Sequence, residues 1–532
     1  MIKKEIIDLN NLNFFSDLIN DYNSKNKKLK SFISSFPSEE SIINKIKKRK
    51  LPLELRLDLV SVLKKQYKKT TFFDSELKKV NNNINQLISK NTYTITAGHQ
   101  LCLFANPLFL IYKIINIINL SSRVSKITKK KIVPIFWLAS EDHDFEEVKS
   151  VSLFSNKHDW NRKHNNSAVG SISTGNIESF IDNIFDSFED YPYKNDLKEI
   201  LIETYTKNDT LSKGIRSLLT FFFGKHGLLI LDPNDAILKN HFKSYLKLEI
   251  QNQSSFHIVS NQTNKLSKNY KTIIKPRELN LFYFNKKKRL RIIKQWRGYC
   301  LIDSQKKWSQ KQILKEIEDF PERFSPNVIL RTLYQETILP NIVYVGGPTE
   351  ISYWLQFKSL FSKMKIEFPI LALRSFVLNI NLEHSKFLEK NKIISTDLFY
   401  PLEQFLAKLL YKKSKINLID ELNHFNDLRK TINKKTKRID HSLNEHSLSI
   451  CKKIEKDLKK LEKKIIKYQK KDHVSYIEIL TELHSSIYQK NIIQERNSSF
   501  FYYYLKYGDK FFEILVKKLN CLESGYIILK GF

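Results

Sequence analysis

Between Pro401 and Gly508 the chain contains no glycine and no proline. A stretch that long without a helix breaker or turn former is compatible with little other than extended helix. Its apolar residues recur at steps of three and four: Leu418, Leu422 and Phe425, then Ile432, Ile439 and Leu443, then Ile450, Ile454, Leu458, Leu461, Ile465 and Tyr468. Flanked by Lys and Glu, this seam predicts a coiled coil. A single helix over 416–468 would run for about 80 Å, too far to stay inside a globule, and imperfect steps near Lys435 and His446 leave room for a turn. The expected use is a dimerisation arm.

The region from about 91 to 380 is patterned differently. Short apolar runs, each closed by polar or turn residues, alternate with helical segments: Tyr93–Thr96 before Gly98, Ile132–Leu138 before Glu141, Leu228–Leu231 before Asp232, Ile342–Val345 before Gly346, and Pro369–Leu373 before Arg374. Strands bounded this way predict βαβ units and an α/β fold around a parallel sheet. Their uneven spacing predicts connecting insertions at about 155–225 and 240–325, the second containing a hairpin between Ile273 and Ile293. Residues 1–90 read as a helical segment packing on this core, 381–493 as the coiled-coil domain, and 494–532 as a segment returning to the core.

Composition narrows the function. Lys and Arg number 90 against 56 Asp and Glu, a net +34, but only 15 of the 90 are Arg. Nucleic-acid readers favour the planar Arg fork, so a solvated lysine-rich surface is expected and no nucleic-acid partner. The stretch 402–507 carries 23 cations and 13 acids, so +10 of the excess lies in the helical arm and the basic character is not concentrated there. Four cysteines without a CxxC pair exclude a zinc ribbon or disulfide scaffold and suit a reducing cytoplasm. The most apolar stretch, Leu101–Leu120, is interrupted by Lys113, Asn116 and Asn119 at every third position. That spacing predicts a polar stripe on a buried helix rather than a membrane span, and no signal segment is expected at the Met1-Ile2-Lys3-Lys4-Glu5 start.

Ligands of open parallel sheets sit beyond the carboxyl ends of the strands. The rule gathers Gly98, His99 and Gln100, the cluster Glu141-Asp142-His143-Asp144, Gly346 and Gly347 with Glu350, and Arg374 at one crevice. Gly98 permits a tight turn, and a following helix start suits phosphate or carboxylate, to which His99 could also donate. The acids around His143 call for a metal, a lysine or a substrate ammonium. Neither a GxGxxG fingerprint, a Walker loop nor a Gly-x-Ser-x-Gly elbow is present, and no metal-ligand set is expected.

Four separated segments resemble one family. Thr94–Lys113 (TITAGHQLCLFANPLFLIYK), Pro134–Glu147 (PIFWLASEDHDFEE), Phe324–Glu336 with Leu339, Pro340 and Tyr344–Trp354 (YVGGPTEISYW), and Gln494-Glu495-Arg496 with Tyr507-Gly508 are similar, in order, to the hallmark segments of the BshC family, the cysteine ligases of bacillithiol biosynthesis. Thr349 and the Ala105-Asn106 pair depart from the family's usual glycines. The resemblance implies a Rossmann-like core with connecting insertions, a coiled coil used for homodimerisation, and addition of L-cysteine to the amino group of glucosaminyl malate. Amide formation from a free carboxylate needs activation, so ATP with Mg²⁺ is expected as the energy source, neither tightly bound. On this reading Gly98, His99, Gly346 and Gly347 face the nucleotide. Asp142, His143 and Asp144 hold the cysteine ammonium or act in proton transfer from the attacking amine. Arg331 and Arg374 take carboxylates, Glu350 and Tyr353 take hydroxyls, and Gln100, Glu141 and Gln335 complete the substrate contacts. The alternatives are another nucleotide-dependent acyl or nucleotidyl transferase on the same scaffold, and a non-enzymatic coiled-coil or RNA-binding protein.

Overall fold

The computed structural model describes residues 2–12, 14–73, 77–153, 156–162, 167–286, 288–414 and 418–532. The chain divides into two compact units. The larger comprises Asp8–Leu378 and Glu495–Ile527, the smaller Met1–Ile7, Asn379–Gln494 and Ile528–Phe532.

The larger unit is built on the five strands anticipated from the apolar runs. They are β1 (Thr92–His99), β2 (Lys131–Leu138) and β3 (Leu229–Leu231), followed after the insertions by β9 (Asn341–Gly346) and β10 (Ile370–Leu373). All neighbours are parallel, in the order β10-β9-β1-β2-β3. Nearly every residue of these strands is buried. That is why they read as continuous apolar runs instead of alternating ones. From β1 the chain moves outward through β2 to β3, then returns to the other side of β1 with β9 and β10. The direction of winding therefore reverses between β1 and β9, and the crevice at such a switch point is where open α/β sheets bind ligands.

Helix α1 (Phe109–Thr128) connects β1 to β2. Its polar stripe is internal. Asn116 exchanges two hydrogen bonds with Ser375, and Asn119 donates to the carbonyls of Val516 and Leu519. A buried amide needs such partners, so the stripe marks where α1 meets the chain after β10 and the segment near the C-terminus. No helix among the described residues is long and apolar enough to cross a membrane.

The insertion between β3 and β9 carries an antiparallel sheet of β4 (Leu281–Asn285), β5 (Lys288–Gln295), β6 (Gly298–Leu301), β7 (Lys307–Trp308) and β8 (Phe324–Pro326), ordered β7-β6-β5-β4-β8. The hairpin expected between Ile273 and Ile293 is β4–β5. Helix α2 (Val328–Ile338) leads from β8 into β9, and α3 (Pro348–Trp354) follows β9 directly.

In the smaller unit the predicted coiled coil is a helical hairpin. Helix α4 (Ile419–Thr436) turns at 437–440 into α5 (His441–Asp472), whose N-terminus is capped by the Asp440 carboxylate. The positions 416 and 417 at the start of the predicted long helix lie outside the described residues. The helices run antiparallel, with Thr436 bonded to Asn444, Asn433 to Ser447, and Arg429 to Glu455 at 2.9 Å. The heptad rhythm resumes after the turn, so the sequence alone reads almost as one helix. Leu422, Phe425, Ile432 and Leu458 are half-buried, and Cys451 is buried. Leu443, Ile450, Ile454, Leu461 and Tyr468 stay 41–68% exposed. They form a second apolar stripe along α5 that the hairpin does not cover.

Candidate active site

The carboxyl ends of β1, β2, β9 and β10 open into a cavity of about 680 Å³. Gly98, His99, Gln100, Glu141, Asp142, His143, Arg331, Gly347, Glu350, Tyr353 and Arg374 all line it. Stretches more than two hundred residues apart in sequence meet there because parallel strands in register end together: Gly98 lies opposite Trp137, and Gly346 opposite Leu373.

One wall is an ion pair across the switch point with an arginine–tyrosine hydrogen bond beside it. Lys113, fully buried on α1, places Nζ 2.5 Å from Glu350 Oε2 and 2.7 Å from the Gly98 carbonyl oxygen. Glu350 also accepts from Tyr344 OH (2.6 Å) and from the Gly347 backbone N–H (2.8 Å), which caps α3. Burial raises the Glu350 pKa, but Lys113 and these donors offset it and hold the carboxyl below its ordinary value. Arg331 bonds Tyr353 OH at 2.9 Å. Burial outweighs the lowering effect of the neighbouring Arg331 and pushes the Tyr353 phenol up to about 12, so it stays protonated. A Cβ on Gly346 would fall 3.1 Å from Glu350 Cβ and Tyr344, whereas one on Gly347 would meet Arg374 Nε at 3.7 Å. Gly346 thus packs inward, and Gly347 faces the cavity.

The opposite wall gathers around Asp142. Gln100 Nε2 donates to Asp142 (3.1 Å) and Glu147 (2.6 Å). Arg289, from β5, reaches Asp142 at 3.4 Å and His143 Nδ1 at 3.2 Å while its other nitrogens bond Ser325 Oγ and the Pro326 carbonyl. Burial opposes ionisation of Asp142, yet the His143, Arg289 and Gln100 contacts keep its pKa far below the ordinary range. Arginine is a permanent donor. In the tautomer whose Nδ1 accepts from Arg289 the proton sits on Nε2, while the same Nδ1 lies 3.5 Å from the Asp142 carboxylate, to which the other tautomer donates.

His99 has the opposite polarity. Its Nδ1 lies 3.2 Å from the Gln100 carbonyl and 3.7 Å from Cys102 Sγ. A carbonyl can only accept, so Nδ1 carries the hydrogen and Nε2 presents a lone pair. Burial, reinforced by Lys113, lowers the His99 pKa to about 4. The ring is neutral at physiological pH and offers an acceptor, not the anion-binding donor anticipated from sequence.

Three anticipated residues are not at the cavity. Gln335 is fully buried and donates to Glu336, one helical turn below Arg331. Asp144 caps the short helix Phe145–Val148 through the Glu147 N–H. Gly346 is packed as described. Arg374 does line the cavity, but its guanidinium makes a bidentate pair with Glu495 at 2.7 and 2.8 Å. Glu141 is likewise tied to the buried Lys239. Residues that pattern reading did not single out are Lys113 as an ion-pair partner, Arg289, Trp137 and Phe109. Among the described residues no group of three or more His, Cys, Asp or Glu is arranged to hold a metal ion.

A parallel sheet of this order, with a polar cavity at its switch point and a separate helical-hairpin unit, defines a Rossmann-like α/β protein with a coiled-coil domain. Residues 2–375 match the Rossmann-like N-terminal domain of bacillithiol biosynthesis BshC, and residues 377–531 match its C-terminal coiled-coil domain. Proteins named "Putative cysteine ligase BshC" are similar over nearly the whole length. That of Flavobacterium johnsoniae is 36% identical over 523 residues, 97% of each chain. That of Christiangramia forsetii is 36% identical over 538 residues, again 97% of each. That of Bacillus anthracis is 24% identical over 531 residues, 96% of this chain and 98% of the other. The chain belongs to the BshC family of bacillithiol biosynthesis.

Proposed function

We propose that this protein is a ligase that joins the carboxyl group of L-cysteine to the amino group of glucosaminyl malate, with ATP and Mg²⁺ as co-substrates. The observation that carries the proposal is the meeting of His99, His143 and Arg331 at one switch-point cavity large enough for small polar reactants. The new bond joins the cysteine carboxyl carbon to the sugar nitrogen. One carboxylate oxygen leaves with a phosphorus-containing group, and the attacking amine gives up a proton. ATP supplies the driving force for that departure when bound.

The residues divide the work by polarity. His99 Nε2, an acceptor held neutral by burial, suits an N–H of the attacking amine. His143 Nε2–H, with Nδ1 facing Arg289, suits an oxygen that gains negative charge. The ionised Asp142 suits the cysteine ammonium. Arg374 Nε and Trp137 Nε1 are buried donors at the cavity without a hydrogen-bond partner among the described residues. Phosphate or carboxylate oxygens meet that need, so nucleotide or cysteine fits beside Gly347. The exposed stripe on α5 supports homodimerisation through the coiled coil, since an uncovered apolar row on a helical hairpin favours pairing with a second copy.

The test is incubation of the purified protein with cysteine and glucosaminyl malate, with and without ATP, followed by mass spectrometry. The proposal expects the cysteinyl product only with ATP. Nucleotide turnover without that product would favour a different acyl acceptor on the same scaffold.

A further inference from the structure

The cavity holds more positive charge than its own architecture uses. Its lining includes seven Lys and Arg and four Asp and Glu. The deep cations are engaged: Arg374 with Glu495, Arg289 with Asp142, and Arg331 with Tyr353. Of the other four, Arg496 lies over the Phe109 ring, and Lys275, Arg277 and Arg291 come from the insertion between β3 and β9. Among the described residues none of their side chains makes a hydrogen bond or ion pair.

Their placement is built. Arg289 and Arg291 are two apart on β5, so they share a face. Arg291 pairs across the hairpin with Phe282, which also lines the cavity. Lys275 and Arg277 ride on the irregular segment 271–280, and both shoulders of that segment are pinned from beneath by buried amides. Gln356 accepts from the N–H groups of Ile273 and Ile274 and donates to the Ile274 carbonyl. Asn280 accepts from the Arg277 N–H and donates to its carbonyl, and is itself held by the buried Glu249. Loop backbone fixed in this way presents its cations without a backbone ordering cost at the moment of binding. Like charges brought to one rim without a counter-ion are unfavourable unless a ligand supplies the negative charge.

We infer that Lys275, Arg277 and Arg291 form a subsite for a dicarboxylate, and that it takes the malate end of the amino-sugar substrate. The inference rests on the functional reading above and adds the residues that select the acceptor. Two carboxylates match two guanidinium forks and an ammonium. The amino group at the other end of the substrate is then free to reach the strand ends where His99 and His143 lie. A polyphosphate shares the same chemistry, so the test separates the two sources.

Isothermal titration calorimetry on the full-length protein compares wild type, the doubly substituted Arg277→Gln/Arg291→Gln protein, and Arg297→Gln, a cation on the same insertion outside the cavity lining. The ligands are glucosaminyl malate, methyl glucosaminide and ATP. The double variant is expected to bind glucosaminyl malate about tenfold or more weakly, as loss of two charge-assisted contacts implies. Methyl glucosaminide and ATP affinities should be unchanged, and Arg297→Gln should match wild type for every ligand. Equal binding of glucosaminyl malate by wild type and double variant overturns the subsite. Weakening confined to ATP reassigns the cations to phosphate and also overturns it. An equal loss in Arg297→Gln reduces the effect to net charge and overturns the subsite as well. Wild type that binds no glucosaminyl malate at all refutes the functional reading itself, a result distinct from the other three.

Discussion

Lys113 Nζ, fully buried, lies 2.5 Å from Oε2 of the partly buried Glu350, and the pair spans the point where the sheet reverses its winding. Lys113 also holds the Gly98 carbonyl, so one ammonium ties the end of β1 to the start of α3. Removing Lys113 leaves a partly buried carboxylate uncompensated, which costs about 3 kcal/mol, the lower end for buried pairs. Lys113→Met should destabilise the protein by that amount in urea unfolding. Lys113→Met combined with Glu350→Gln should recover much of the loss. Additive losses in the double variant would show that the pair is not coupled.

Arg374 is predicted to be held in place by Glu495, with its Nε left for a ligand. Its fork meets Glu495 at two oxygens, a geometry lysine cannot reproduce. Arg374→Lys should cost about 1–3 kcal/mol of stability, and Glu495→Gln a similar amount, with the two effects overlapping in the combined variant. Full stability in Arg374→Lys would show that the Glu495 pair does not hold the side chain in place.

The acid limb of stability should carry a His99 signature. Its pKa is near 4 folded against 6.5 in its ordinary state. Between those values the unfolded chain binds the extra proton, so stability falls as pH drops from about 6.5 to about 4. His99→Gln removes this contribution. Unfolding measured across that window should show a shallower pH dependence for the variant than for wild type, and identical slopes would contradict the burial argument.

The parallel core was legible in the sequence because strands buried on both faces read as short apolar runs ended by turn residues. The convergence of their ends followed from topology alone. What stayed hidden involved either long-range partners or the depth of a residue. Nothing local to Arg374 announces a carboxylate 121 residues away. Gln335 shares a face of α2 with Arg331, but it sits about 6 Å further along the axis, below the cavity floor. The polar stripe on α1 was visible, yet periodicity could not say that Lys113 faces Glu350 while Asn116 and Asn119 serve other partners. In the coiled coil, two apolar stripes on α5 overlapped in one heptad reading, and only the hairpin separated the inner one from the outer.

That outer stripe carries the assembly prediction. Ile450→Glu with Ile454→Glu places two charges on residues 48% and 41% exposed, at little expected cost to the hairpin itself. Light scattering after size exclusion should show a dimer for wild type and a monomer for the double variant. A wild-type monomer, or a variant that stays dimeric, would remove the coiled coil from assembly.

The central claim is that the switch-point cavity forms the amide, with His99 and His143 as its two polar hands. It is tested most directly by the rate at which the cysteinyl product mass accumulates in wild type, His99→Ala and His143→Ala proteins of equal folded content. Removing a proton-handling group of this kind typically lowers a rate by about a hundredfold or more. Losses of that size in both variants are the predicted result. Wild-type rates in both would place the chemistry elsewhere.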